Sequence, residues 1–177
     1  MMARQTKREI VEETAIVVPK KSLFERVAGY LDANDWHYTA DTEKAYFSMG
    51  CRIKEASVRV VIDVFEAEDW SRLLTFSIYP VMVPEHRRSA VIEALTRINY
   101  QLIYGNFEMD LADGEIRFRT VVEAEKELDD TMIDRVLNAN LNAADRYFAA
   151  LMTITYGNAS PATMIDLASV PAKENLQ

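Results

Sequence analysis

Three consecutive stretches between residues 46 and 79 alternate apolar and other side chains with a period of two. The apolar positions are Phe47, Met49, Cys51 and Ile53 in the first stretch, Val58, Val60, Ile62 and Val64 in the second, and Leu74, Phe76 and Ile78 in the third. Successive side chains of a strand point to opposite faces, so each stretch predicts a strand with one apolar face. The acidic segments between them predict turns, and together they predict a three-strand antiparallel meander.

Helical patterns lie on either side of this meander. Ser22 and Glu25 have the spacing of a capping box, which predicts a helix that ends near Asn34. After the meander, Pro84 suits the first position of a second helix. Gly105 follows the last apolar residue of that helix, where a left-handed cap is common, and is interpreted as the helix stop.

A hairpin is predicted between the second helix and a long third helix. The dipeptide Asp113-Gly114 is a strong signal for a two-residue turn. That turn places Met109 opposite Phe118 on an apolar face. On the other face it places Asp110 opposite Arg117 and Glu108 opposite Arg119, two pairs of opposite charge.

These elements predict an α+β fold in the order helix, three-strand meander, helix, hairpin, helix, with the antiparallel sheet packed against helices. Residues 19–157 are predicted to form a single domain, and residues 1–18 a mobile N-terminal arm. Residues 158–177 form a C-terminal tail, in which Ser160-Pro161 can begin a short further helix.

Charge and cysteine content exclude several classes of function. The net charge is −8 and the pI about 4.9, so the surface repels phosphate backbones and anionic membranes. No membrane-spanning segment is found, and Cys51, as the only cysteine, allows no internal disulfide. A cytoplasmic protein that binds neither nucleic acid nor membrane is therefore predicted.

No residue pattern indicates catalysis, a metal or a cofactor. His37 and His86 have no partner at ligand spacing, and the acidic run from Asp63 to Asp69 lacks the spacing of a calcium loop. Cys51 alternates inward with apolar neighbours and is interpreted as a buried, inert thiol. We therefore expect no enzyme activity, no metal site and no cofactor.

Two surfaces are candidates for binding. His86, Arg87 and Arg88 stand in the first turns of the second helix, where they form either an anion site or a solvated, salt-bridged face. A second candidate is the remaining face of the meander. In an antiparallel sheet a solvent-exposed face is normally polar, whereas this face is partly apolar. Its predicted apolar residues are Val61, Phe65, Leu73 and Tyr79, covered by the chain's own helices, by a second subunit in a homodimer, or by a partner protein.

Several segments resemble the YbjN family of proposed bacterial sensory regulators. They are residues 31–36 (LDANDW), 63–70, 83–88 (VPEHRR), and 98–114 around Ile98-Asn-Tyr and Gly105-Asn-Phe. The order of elements is similar to type III secretion chaperones, acidic homodimers that bind unfolded segments of a client. The resemblance implies a chaperone-like or regulatory role and brings no catalytic residue. The predicted function is a non-catalytic protein-binding module with a protein client, and the alternative is a small-ligand or anion sensor at His86–Arg88.

Overall fold

The computed structural model describes residues 21–125 and 128–169. Its helices are α1 (Leu23–Ala33), α2 (Arg88–Gln101), α3 (Asp130–Tyr156) and α4 (Pro161–Ser169), and a 3-10 turn (Glu85–Arg87) precedes α2. Its strands are β1 (Thr39–Asp41), β2 (Tyr46–Arg52), β3 (Ser57–Glu66), β4 (Ser71–Met82), β5 (Asn106–Met109) and β6 (Glu115–Ala124). The predicted α+β order is confirmed, the short helix predicted after Ser160-Pro161 is present as α4, and the short strand β1 was not predicted. The predicted N-terminal arm, residues 1–18, lies outside the described residues.

The six strands form one antiparallel sheet in the order β1-β2-β3-β4-β6-β5. Helix α3 packs on β4 and β6. Helix α1 packs on β3, and its Phe24 ring is stacked on the ring of Phe47 in β2, with 4.4 Å between the ring centroids. Helices α2 and α4 pack against α3, so the core lies between one face of the sheet and the helices. In the described part of the chain, the other face carries no helix.

Local capping signals behave as predicted. The Ser22 hydroxyl accepts from the Glu25 amide at 3.2 Å, while a Glu25 carboxylate oxygen accepts from the Ser22 amide at 2.8 Å. Asp129 caps α3 by accepting from the Met132 amide at 2.8 Å. These bonds satisfy amides that have no partner within their helix, and the capping box at Ser22 is why the sequence located the start of α1 correctly.

Gly105 does not cap α2 directly, contrary to the prediction. The helix ends at Gln101, and Gly105 lies further on, just before β5, with φ +72°. A Cβ at this position would lie 2.5 Å from the carbonyl oxygen of Arg119 and 2.8 Å from a methyl group of Thr120. Gly105 is therefore required by the close approach of the chain to β6 as well as by its positive φ.

The predicted hairpin is present, but its register is shifted by two residues. Phe107 pairs with Phe118 and Glu108 with Arg117, and a four-residue loop, 111–114, replaces the two-residue turn. The longer loop is stabilised because the Gly114 carbonyl accepts from the Val83 amide at 2.9 Å. A shift of two keeps every side chain on its predicted face, since the strand period is two.

The predicted face of β4 is wrong by one residue. Leu74, Phe76 and Ile78 point away from the helices, and the alternate set lies in the core: Ser71, Leu73, Thr75, Ser77 and Tyr79. Polar side chains are tolerated there because α3 supplies partners for them. Buried Asn140 accepts from the Ser77 hydroxyl at 2.6 Å, and its amide group donates to the Thr75 carbonyl at 3.1 Å and to the Thr120 hydroxyl at 3.0 Å. A shift of one residue exchanges the two faces of a strand.

Candidate functional site

The four residues predicted to share an apolar patch lie on opposite faces of the sheet. Leu73 and Tyr79 are buried under α3, where the Tyr79 hydroxyl donates to the Ala144 carbonyl at 2.7 Å. Val61 is half-buried and Phe65 is 42% exposed, and both lie on the face without helices. The proposed patch of these four residues was therefore wrong, because the prediction assigned β4 to the wrong face.

The outer sheet face is nevertheless apolar at its centre. We use this name for the side chains of β2 to β6 that point away from the helices, with Val61, Leu74, Phe76, Ile78 and Val121 at its centre. Val61 and Phe76 are direct cross-strand neighbours, and the Arg117 guanidinium lies 4.7 Å from the Phe76 ring. Such central apolar residues with charged flanks are typical of contact surfaces.

In the basic turn, the Arg87 and Arg88 side chains bond to backbone carbonyls. Arg87 donates from Nε and Nη2 to the Ile154 carbonyl, in the last turn of α3. Arg88 donates to the Val83 carbonyl at 3.3 Å and to the Leu111 carbonyl at 2.8 Å, and His86 is exposed. Both guanidinium groups are thus engaged by backbone carbonyls, one of them at a helix C-terminus where a cation is favourable.

A third surface, which the sequence analysis did not identify, lies where α2 meets β5. Tyr100, Ile103 and Tyr104 are 93%, 87% and 73% exposed. Tyr104 also lines a pocket of about 370 Å³, which we call the edge pocket. Its other lining residues come from β6 and α3: Thr120, Val121, Val122, Met132, Arg135, Val136 and Ala139, together with Gly105.

Two contacts fix the loop that carries these apolar side chains. The Asn99 side chain accepts from the Phe107 amide at 2.8 Å and donates to the Phe107 carbonyl at 3.0 Å. It therefore pairs with β5 as a neighbouring strand would. Gly105 allows the loop to lie directly against β6. The exposed apolar side chains are consequently presented from an anchored loop.

The edge pocket lies beside the edge of β6, which β5 pairs with over only part of its length. β5 pairs with residues 116–119 of β6, whereas β6 continues to Ala124 along β4. No strand of the described chain pairs with residues 120–124 on that side. Arg135 is exposed at this edge and has no hydrogen bond or ion pair to the described residues. Within residues 21–125 and 128–169, the site therefore combines a strand edge that no other strand pairs with, an apolar pocket and the exposed cation of Arg135.

One sequence signal could have located this surface. Tyr100, Ile103 and Tyr104 do not belong to the apolar stripe of α2, whose buried residues are Val91, Ala94, Leu95 and Ile98. Three large apolar residues outside a buried stripe indicate either a second contact or an exposed surface. The sequence could not distinguish the two, because the path of the loop depends on β6.

Two properties of the titratable groups concern the reactivity of Cys51 and metal binding. Burial raises the pKa of the Cys51 thiol to about 11, so the nucleophilic thiolate is scarce at neutral pH. Within residues 21–125 and 128–169, no three His, Cys, Asp or Glu side chains are grouped closely enough to hold a metal ion. Among the same residues, no helix has the length and apolarity to cross a membrane.

The fold and the site define an α+β protein with helices on one face of a six-stranded antiparallel sheet and an apolar pocket at its edge. The family model of YbjN, described as "Putative bacterial sensory transduction regulator", matches residues 23–152. The chain belongs to this family. No curated protein matches it.

Proposed function

We propose that this protein is a non-catalytic protein-binding module with a regulatory or chaperone-like role, and that the edge pocket is its contact site for a protein client. The observation that carries the proposal is the group of exposed apolar side chains around a pocket beside an unpaired strand edge. Large exposed apolar groups are unfavourable in water, and they are typical of surfaces that a partner covers.

The geometry favours a partner that binds as an extended segment. Residues 120–124 of β6 can pair with such a segment through their free backbone groups, which supplies affinity without regard to sequence. One apolar side chain of the segment would then enter the edge pocket, between Met132 and Val136. A carboxylate of the segment would lie within reach of Arg135. Selectivity comes from these two side-chain contacts.

The alternative of an anion sensor has no support from the geometry. Arg87 and Arg88 already bond to backbone carbonyls that stabilise the packing of α2 against α3 and the hairpin loop. An anion would have to compete with these contacts for the two guanidinium groups.

Photocrosslinking in the native cell tests the protein-binding proposal. Tyr104 is replaced by the photoreactive p-benzoylphenylalanine, and the same replacement at Tyr156 is the matched control. Tyr156 is also an exposed tyrosine and lies about 36 Å along α3 from Met132, at 1.5 Å per residue. We expect protein adducts from position 104 that are absent from position 156.

A second substitution makes this experiment specific for the edge pocket. Met132→Glu places a charge at the pocket wall, and we expect it to abolish the adducts formed from position 104. Equal adducts from both positions, or adducts that persist in the Met132→Glu background, would contradict the proposal.

A further inference from the structure

The outer sheet face is centred on β3 and β4 and shares only Val121 with the edge pocket, and none of the described helices packs on it. We propose that a second copy of this chain covers the outer sheet face, so that two sheets pack face to face with their helices outside. The arrangement is a closed two-fold dimer of four layers, helices–sheet–sheet–helices.

The charge of this face favours a second copy as its occupant. The face carries five arginines and four carboxylates, a net charge of +1, in a chain whose total is −8. They are Arg52, Arg59, Arg72, Arg117 and Arg119, with Asp63, Glu108, Glu115 and Glu123. Two acidic chains would repel each other through most of their surfaces, but this nearly neutral face removes that repulsion.

Asp63 provides a more specific argument for the same occupant. It stands between Tyr46 and Leu74 on the outer sheet face, and it has no hydrogen bond or ion pair to the described residues. Burial raises the pKa of its carboxyl group, which marks a poorly solvated position. An apolar partner surface would leave this carboxylate buried without a cation. A second copy can bring Arg52 to it, because the other four arginines of the face already pair with Glu108, Glu115 and Glu123, whereas Arg52 has no ion pair to the described residues.

The dimensions of the face agree with those of a stable interface. The face comprises the five strands β2 to β6, which at about 4.8 Å spacing span about 24 Å, and the eight paired residues of β3 and β4 extend about 26 Å. The resulting footprint of at most about 620 Å² lies at the low end of the roughly 600–1,000 Å² that each partner buries in a standard interface. The apolar residues lie at its centre and the charged residues lie around them, as in typical interfaces.

Sedimentation equilibrium of the purified full-length chain, from about 1 to 50 μM, tests the dimer. We expect the wild type to be dimeric at 20 μM. Phe76→Glu places a charge at the centre of the face, and Val61→Lys does so on the neighbouring strand. Each should raise the dimer dissociation constant at least 100-fold while the circular dichroism stays that of the wild type. Ile103→Glu, at an equally apolar but remote exposed position, is the matched control and should remain dimeric.

Three results would overturn the inference. They are a wild type that is monomeric at 20 μM, a Phe76→Glu variant that still dimerises, and an Ile103→Glu control that dissociates equally. Unfolding of both Phe76→Glu and Val61→Lys also counts against it, because it would assign the face to the core of a single chain. The experiment uses purified protein and does not involve position 104, so its failure leaves the protein-binding proposal standing, and the reverse also holds.

Discussion

Replacing Asn140 by alanine should be among the most destabilising single changes in this protein. Asn140 is fully buried and joins α3 to two strands through four hydrogen bonds. Its loss leaves the Ser77 hydroxyl and two backbone carbonyls without this partner, and each buried unsatisfied group costs about 1–3 kcal/mol. The cavity left by the amide group increases the loss of stability by about 1 kcal/mol, at ~24 cal/mol per Å³. The better helix propensity of alanine reduces that loss by about 0.5 kcal/mol.

With each of the three groups at the low end of that range, we expect a loss of at least about 3 kcal/mol in the free energy of unfolding. For a domain of this size the corresponding fall in Tm is about 10 °C. Urea unfolding followed by circular dichroism measures the free energy, and differential scanning calorimetry measures the Tm.

Thr75→Val is the matched control in the same buried layer. The Thr75 hydroxyl is buried without a hydrogen-bond partner, although the Thr75 carbonyl accepts from Asn140. Valine keeps the shape and removes the unsatisfied hydroxyl, so we expect this variant to be as stable as the wild type or about 1 kcal/mol more stable. A loss below 1 kcal/mol for Asn140→Ala, or equal losses in both variants, would refute the argument that this network stabilises the core face of β4.

Three further predictions concern other parts of the fold. Gly114→Val should cost about 2 kcal/mol or more in the same urea assay, because Gly114 has φ +89° and a Cβ would collide with the Val83 backbone. Arg87→Ala should cost about 1.5–3 kcal/mol through its lost bonds to the Ile154 carbonyl. Calorimetric titration with inorganic phosphate should show no binding to the wild type or to the Arg87→Ala variant. Phosphate binding by the wild type that is lost in the variant would support the anion site. Burial raises the pKa of the Cys51 thiol to about 11, so the folded state holds the thiol proton more tightly than the unfolded state. The protonated thiol therefore contributes stability that is fully present below about pH 9 and is lost as the pH rises to 11. A Cys51→Ala variant should lack this loss of stability above pH 9, and the folded thiol should react more slowly with iodoacetamide at pH 8 than the thiol in urea.

The sequence alone determined those features whose causes lie within a few residues. The capping box at Ser22 and the period-two stretches depend on neighbours in the chain, so the α+β order and the start of α1 followed from them. The hairpin was also recognised, because Asp113-Gly114 marks a turn wherever the strands pair. Segments from Leu31 to Gly114 also carried the family resemblance, which the match over residues 23–152 confirms.

Only the tertiary structure decided which surfaces are exposed. The core face of β4 depends on Asn140, which lies 63 residues beyond Ser77 and makes a polar strand face compatible with burial. The hairpin register depends on the bond from Val83 to Gly114, and Arg87 of the basic turn is engaged by a carbonyl 67 residues away. The edge pocket exists because β5 is shorter than β6. Periodicity reports the side-chain alternation within one element, whereas the choice between its two faces is made by the partners that pack on them.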